Sequence, residues 1–153
     1  MHTRLSIPIL LLTLLISGCH QTKSSDDSGE GNPTNRQRPE NVTRLGMVVG
    51  IKPEKIEEYT KLHAECWPGV LDAMKECNFR NFSIYIAEIE PGKHYLFGYL
   101  EYWGSDMAAD QKKAESYEIN RKWWKLTDAC QVKVPSHQGD GLWMSMKEVF
   151  HTD

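Results

Sequence analysis

The sequence predicts an α+β domain in which helices cover one face of an antiparallel sheet. Three observations carry this. Short β-branched runs are interleaved with stretches of helical periodicity. The elements follow one another as strand, helix, strand, strand, helix, strand, which is the split βαβ order of ferredoxin-like domains. The two middle strands are separated by a Pro-Gly turn, which makes them a hairpin.

Residues 45–51 form a compact apolar run with adjacent valines at its centre and read as the first strand. Pro53 and Glu54 then open a helix, because proline suits the first helical position and acids suit the first turn. Ile56, Tyr59, Leu62, His63, Cys66, Trp67 and Val70 recur at helical spacing and define its inner face. Pro68-Gly69 should kink this helix, since proline removes a hydrogen bond and crowds the preceding turn. It can resume at Leu71 and stop near Asn78. Residues 81–89 alternate with period two and read as the second strand; Pro91-Gly92 supplies the turn into a third, 94–102. Ser105 is a capping residue for a helix over 105–114, and a second helical stretch spans 116–129. Gly139-Asp-Gly141 precedes a last strand over 142–150.

Such a fold leaves one sheet face uncovered. Tyr85, Phe97, Tyr99, Trp143 and Met146 are expected there, too much apolar surface for a monomer. A two-fold, sheet-to-sheet homodimer is therefore expected.

The ends read differently. In residues 1–18 a single Arg4 precedes an apolar run too short to span a bilayer, followed by Ser17-Gly18 and Cys19. The layout is that of a secretory signal peptide, and the small pair before Cys19 resembles a bacterial lipobox, with an ordinary signal peptide as the plainer reading. Lipidation of Cys19 would make an exported, membrane-anchored lipoprotein, held by its lipid at the periplasmic side or the cell surface. Residues 19–43 are polar and rich in Ser, Gly, Asn and Pro, hence read as a disordered tether. Residues 44–153 make one domain by length. The formal net charge of −3, with both signs interspersed, gives no nucleic-acid surface. Beyond Cys19, Cys66, Cys77 and Cys130 are an odd set; one disulfide plus a thiol, or three thiols, remain open.

Two places can carry chemistry. Tyr59 and His63 lie one helical turn apart on one face, so a phenol and an imidazole can bind a hydroxyl and move a proton. Taken alone, a half-buried helix face is the commoner meaning of that pair. Trp123-Trp124 is the second place. Neighbours on a helix point about 100° apart, so one indole can enter a core while the other lines a rim. A flat apolar face with a polar edge suits a sugar ring, although packing is again the commoner role. His63 and Cys66 have a spacing a metal could use, but no second ligand pair is near, so no metal is expected. No Ser-His-Asp signature, Gly-rich phosphate loop or paired-carboxylate site is legible.

Pro53, Tyr59, His63 and Trp67-Pro68 are followed in order by Asn81-Phe-Ser-Ile-Tyr85, by Arg121, Trp123-Trp124 and Thr127-Asp128, and finally by Lys147-Glu-Val-Phe-His151. In that succession the sequence resembles the L-rhamnose mutarotase family. Each element is weak alone; four in order are specific. The resemblance implies a dimeric ferredoxin-like barrel that interconverts the α and β anomers of L-rhamnose or a similar deoxyhexose, without cofactor or metal. It implies that His63 is the proton donor and that Tyr59, Trp123 and Trp124 contact the monosaccharide, with Asn81 and Phe82 beside them. The family has a tyrosine where this chain has Phe82, so one sugar hydroxyl loses a phenolic partner. Residues 104–118 are longer than the family pattern, and a lipobox departs from the cytoplasmic sugar catabolism with which the family is associated. Two alternatives stand beside this reading: a membrane-tethered sugar-binding protein without turnover, and a monooxygenase or haem-degrading protein on the same fold.

Overall fold

The computed structural model describes residues 37–152. The signal peptide expected over 1–18, Cys19 and most of the expected tether lie outside the described residues. The first strand, β1 (Thr43–Ile51), leads through a 3-10 turn at Pro53–Lys55 into α1 (Ile56–Ala64) and α2 (Pro68–Glu76). A hairpin of β2 (Phe79–Glu90) and β3 (Lys93–Tyr102) follows, then α3 (Met107–Ser116) and α4 (Glu118–Cys130). The short strands β4 (Gln131–Val132) and β5 (Met144–Met146) end the fold.

All strand pairs are antiparallel, in the order β2-β3-β1-β4, with β5 also along β1. This is the split βαβ topology, with β1 at its centre. Its second half, Val48 to Ile51, is wholly buried, as a central strand requires. Along β3 every second residue from Leu96 to Tyr102 is buried, so these face the helices and Phe97 and Tyr99 face away. The core joins Val49, Ile51 and Leu96 of the sheet to Tyr59 of α1 and Cys130 of α4. Gly50 is required where β4 crosses: a Cβ there would lie 2.7 Å from Val132 Cγ2. The hairpin turns at Pro91-Gly92, with Gly92 at φ 75°.

Four expectations need correction. Pro68 does not kink one helix but starts another. Trp67 is extended (φ −66°, ψ 132°), as a residue before proline prefers, and Pro68 takes the first helical position of α2. The cap of α3 is Asp106, not Ser105: its carboxylate accepts a hydrogen bond from the Ala109 N–H at 3.0 Å. The strand expected over 142–150 pairs only at Met144–Met146, and the remainder of that edge of β1 is taken by β4, whose two residues carry no periodic signal. Trp143 does not lie on the open sheet face; it packs against the core cluster and approaches the Gly98 side of the sheet. Cys66, Cys77 and Cys130 are free thiols, the last two fully buried.

Candidate active site

Between the helices and the inner sheet face lies a cleft of about 580 Å³. Tyr59, Thr60, His63 and Cys66 line it from α1 and the turn after it, and Trp123 from α4. Ile84, Ile86 and Leu96 form an apolar floor, and Asn81 and Phe82 line it from β2.

The wall follows from local helix geometry. Tyr59 and His63 are four apart, so their rings overlap, with centroids 4.2 Å apart. Trp123 meets His63 edge-on at 5.3 Å and Trp67 at 5.4 Å. His63 is thus fixed between a phenol and an indole. Its Nδ1 lies 3.0 Å from the Tyr59 carbonyl oxygen. A carbonyl only accepts, so Nδ1 carries a proton and Nε2 is the nitrogen left to exchange one. Burial lowers the His63 pKa below 6.5, only partly opposed by that hydrogen bond. The imidazole is therefore neutral at pH 7.

Tyr59 is 5% exposed, and burial raises its phenol far above the ordinary range. Its hydroxyl takes a hydrogen bond from Gln131 Nε2 at 3.4 Å. Asp128, on α4, is raised to about 6 by burial.

The two tryptophans part company. The buried stripe of α4 is Asn120, Trp123, Thr127 and Cys130, spaced three and four apart. Trp123 belongs to it and reaches the cleft. Trp124 sits about 100° round the helix, half-buried, and does not line the cleft.

Asn81 sits on a β-bulge, at φ 49°, where the register between β2 and β3 shifts. Asparagine tolerates this left-handed conformation better than most side chains. Its Nδ2 donates to Glu101 Oε2 at 2.8 Å, and the bulge brings Phe82 to the cleft. Glu101 is 5% exposed yet charged. Burial pushes its carboxyl up, but donors from Trp103 (2.7 Å), Asn81 and Tyr99 (3.2 Å) outweigh it and hold the pKa below the usual value. Arg38, in the segment expected to be a tether, reaches the same carboxylate at 3.4 Å.

Sequence reasoning missed the floor residues and Gln131. Ile84 and Ile86 were findable as same-face positions of one strand. Gln131 was not, because it enters through a two-residue strand. Among the described residues, no group of three or more His, Cys, Asp or Glu side chains could hold a metal ion.

With this geometry, comparison with known proteins is informative. The family model described as L-rhamnose mutarotase matches residues 44–152. An L-rhamnose mutarotase of Oceanobacillus iheyensis is 33% identical over 112 residues, which are 73% of this chain and 100% of the relative. One from Lactiplantibacillus plantarum is 32% identical over the same shares of both chains. The crystal structure of an L-rhamnose mutarotase from Formosa agariphila has the same fold, at TM-score 0.53 and 21% identity, covering 72% of this chain and 99% of that one.

These matches correct one expectation. The match uses up the whole length of both relatives, so neither has a counterpart of a signal peptide or a lipidated cysteine. The reading of an exported, membrane-anchored lipoprotein, lipidated at Cys19, is withdrawn, and with it the tethered form of the sugar-binding alternative. That reading rested on Arg4, one apolar run and Ser17-Gly18-Cys19, a stretch without a counterpart in either relative. No helix among the described residues is long and apolar enough to cross a membrane.

Proposed function

The chain belongs to the L-rhamnose mutarotase family, and from that membership we propose that it interconverts the α and β anomers of L-rhamnose or a similar deoxyhexose. Family membership supports an isomerase that acts on carbohydrate anomers. The mechanism we add rests on one observation: His63, with its tautomer set, stands between Tyr59 and Trp123 on the wall of a cleft large enough for a monosaccharide.

Mutarotation requires the anomeric hydroxyl to lose a proton while the ring oxygen gains one. The open aldehyde then rotates about its C1–C2 bond and recloses on either face. In our reading His63 Nε2 takes the anomeric proton, and the imidazolium so formed delivers it to the ring oxygen. Reclosure runs the same transfers in reverse. Tyr59, kept protonated by burial, donates to a sugar hydroxyl, and Trp123 packs against the C–H face of the ring. Phe82 offers apolar contact where a phenol would offer a hydrogen bond, so the sugar edge facing it is a methyl or C–H group. General acid–base help of about 10²–10⁴-fold suffices for this reaction. The assembly we propose is a two-fold homodimer through the open sheet face.

Saturation-transfer NMR between the anomers of L-rhamnose tests the assignment. His63→Ala should lose most of the acceleration, and the wild-type rate should fall only below pH 6.5, in line with the lowered pKa. A variant that exchanges anomers as fast as wild type removes His63 from the mechanism. Saturable L-rhamnose binding by the wild type, without any rate enhancement, would instead mark a binding protein.

A further inference from the structure

We infer that Gln131 is a positioning residue that turns the Tyr59 hydroxyl proton toward the sugar. The inference rests on the proposal that Tyr59 holds a sugar hydroxyl, and adds to it what sets the direction of that bond.

Gln131 opens β4, paired with Ile51 of β1, and is 5% exposed. It adjoins a core built from Val49, Ile51, Leu96, Cys130 and the Tyr59 ring. A carboxamide in such surroundings is costly unless its polar atoms are matched. Only one of them is matched among the described residues: Nε2 donates to the Tyr59 hydroxyl at 3.4 Å, while Oε1 has no partner there. A leucine or methionine at this position would avoid that orphaned oxygen. The amide is therefore kept at a structural disadvantage, and the one group it engages is the hydroxyl of a cleft-lining residue.

The direction of the bond decides what Tyr59 can do. A phenol has one proton and can also accept. With Nε2 donating, the phenol oxygen is used as acceptor from behind, and its own proton is free to donate outward. With the amide turned over, Oε1 would face the phenol and draw that proton inward, and Nε2 would be orphaned instead. Among the described residues Gln131 is the only hydrogen-bond partner of this hydroxyl. Its 3.4 Å separation is at the long end for such a bond.

Steady-state anomer exchange of L-rhamnose, measured for Q131M, Q131E, Y59F and the double variant Y59F/Q131M, tests the inference. Q131M should raise KM about 5–10-fold with kcat within about 2-fold, the signature of a lost ground-state contact. In the Y59F background Q131M should add nothing, because the residue acts only through that hydroxyl. Q131E gives a readout that packing alone would not move. Ionised, it accepts the phenol proton and weakens sugar binding; protonated, it again offers a donor, so its KM should recover as pH falls while the wild-type KM does not improve. A loss in Y59F with Q131M at wild-type KM overturns the inference alone, as does a further KM increase in the double variant. Y59F at wild-type KM overturns the role of Tyr59, and that of Gln131 with it.

Discussion

Burial pushes the two titratable residues closest in chemistry to Tyr59 in opposite directions. His63 is lowered, because burial disfavours its charged form. Asp128 is raised from 3.8 to about 6 for the same reason. Their consequences for stability differ in sign and window. Just below pH 6.5 an unfolded His63 binds the proton that the folded one refuses, so stability falls as pH falls there. For Asp128 the folded state holds the extra proton between pH 3.8 and about 6, so its cost develops across that window and is complete above it. Asp128→Asn should therefore stabilise the protein at pH 7.5 by about 1 kcal/mol, the full shift being discounted because the carboxyl remains partly exposed. Thermal melts should show a gain of a few degrees at pH 7.5 and none at pH 4; equal melting temperatures at pH 7.5 would sink the argument. At this scale the sequence was informative wherever one helix sets the geometry. Four-residue spacing alone brought the Tyr59 and His63 rings together. It could not say which of Trp123 and Trp124 faces inward, since that depends on where α4 lies against α1.

Helix boundaries show the same division between local and tertiary causes. Proline at 68 and asparagine at 78 punctuate α2 by their own backbone preferences: Pro68 opens it, and Asn78, at φ 61°, ends it in the left-handed conformation common after helices. The stop near Asn78 was legible in the residues themselves, whereas Pro68 was read as a kink because its side chain alone does not tell a bent helix from a new one. The start of α3 was legible only to within one residue, because Ser105 and Asp106 are both good caps and the choice falls to the loop that follows β3. Asp106→Ala removes the bond to the Ala109 N–H and should cost about 1 kcal/mol, lowering the melting temperature by several degrees. Ser105→Ala should leave it unchanged. The reverse pattern in calorimetry would restore the serine as the cap. The bulge at Asn81 lies beyond this kind of reading. Alternation along β2 gives a strand, but the shift between Arg80 and Ser83 is visible only against β3.

The whole molecule leaves a question that no single element poses, namely what covers the far side of the sheet. Cross-strand pairing puts Tyr85, Phe97, Val48 and Met144 in one row across four strands, with Ser83, Tyr99, Gly46 and Met146 in the next. Tyr85 is 65% exposed and Met146 41%, while the cleft lies on the opposite, helix-covered face. A partner on the open face therefore does not obstruct substrate. A second copy related by a two-fold axis would set each row against its own mate, the arrangement by which an isologous interface closes. Tyr85→Glu places a charge near the middle of that surface, where desolvating it without a partner is costly. Light scattering at about 20 µM should then report a dimer for the wild type and a monomer for the variant. Because Tyr59, His63 and Trp123 all come from one chain, the monomeric variant should still exchange L-rhamnose anomers. A wild type that is monomeric at that concentration removes the dimer. A Tyr85→Glu variant that stays dimeric moves the interface to another surface of the domain.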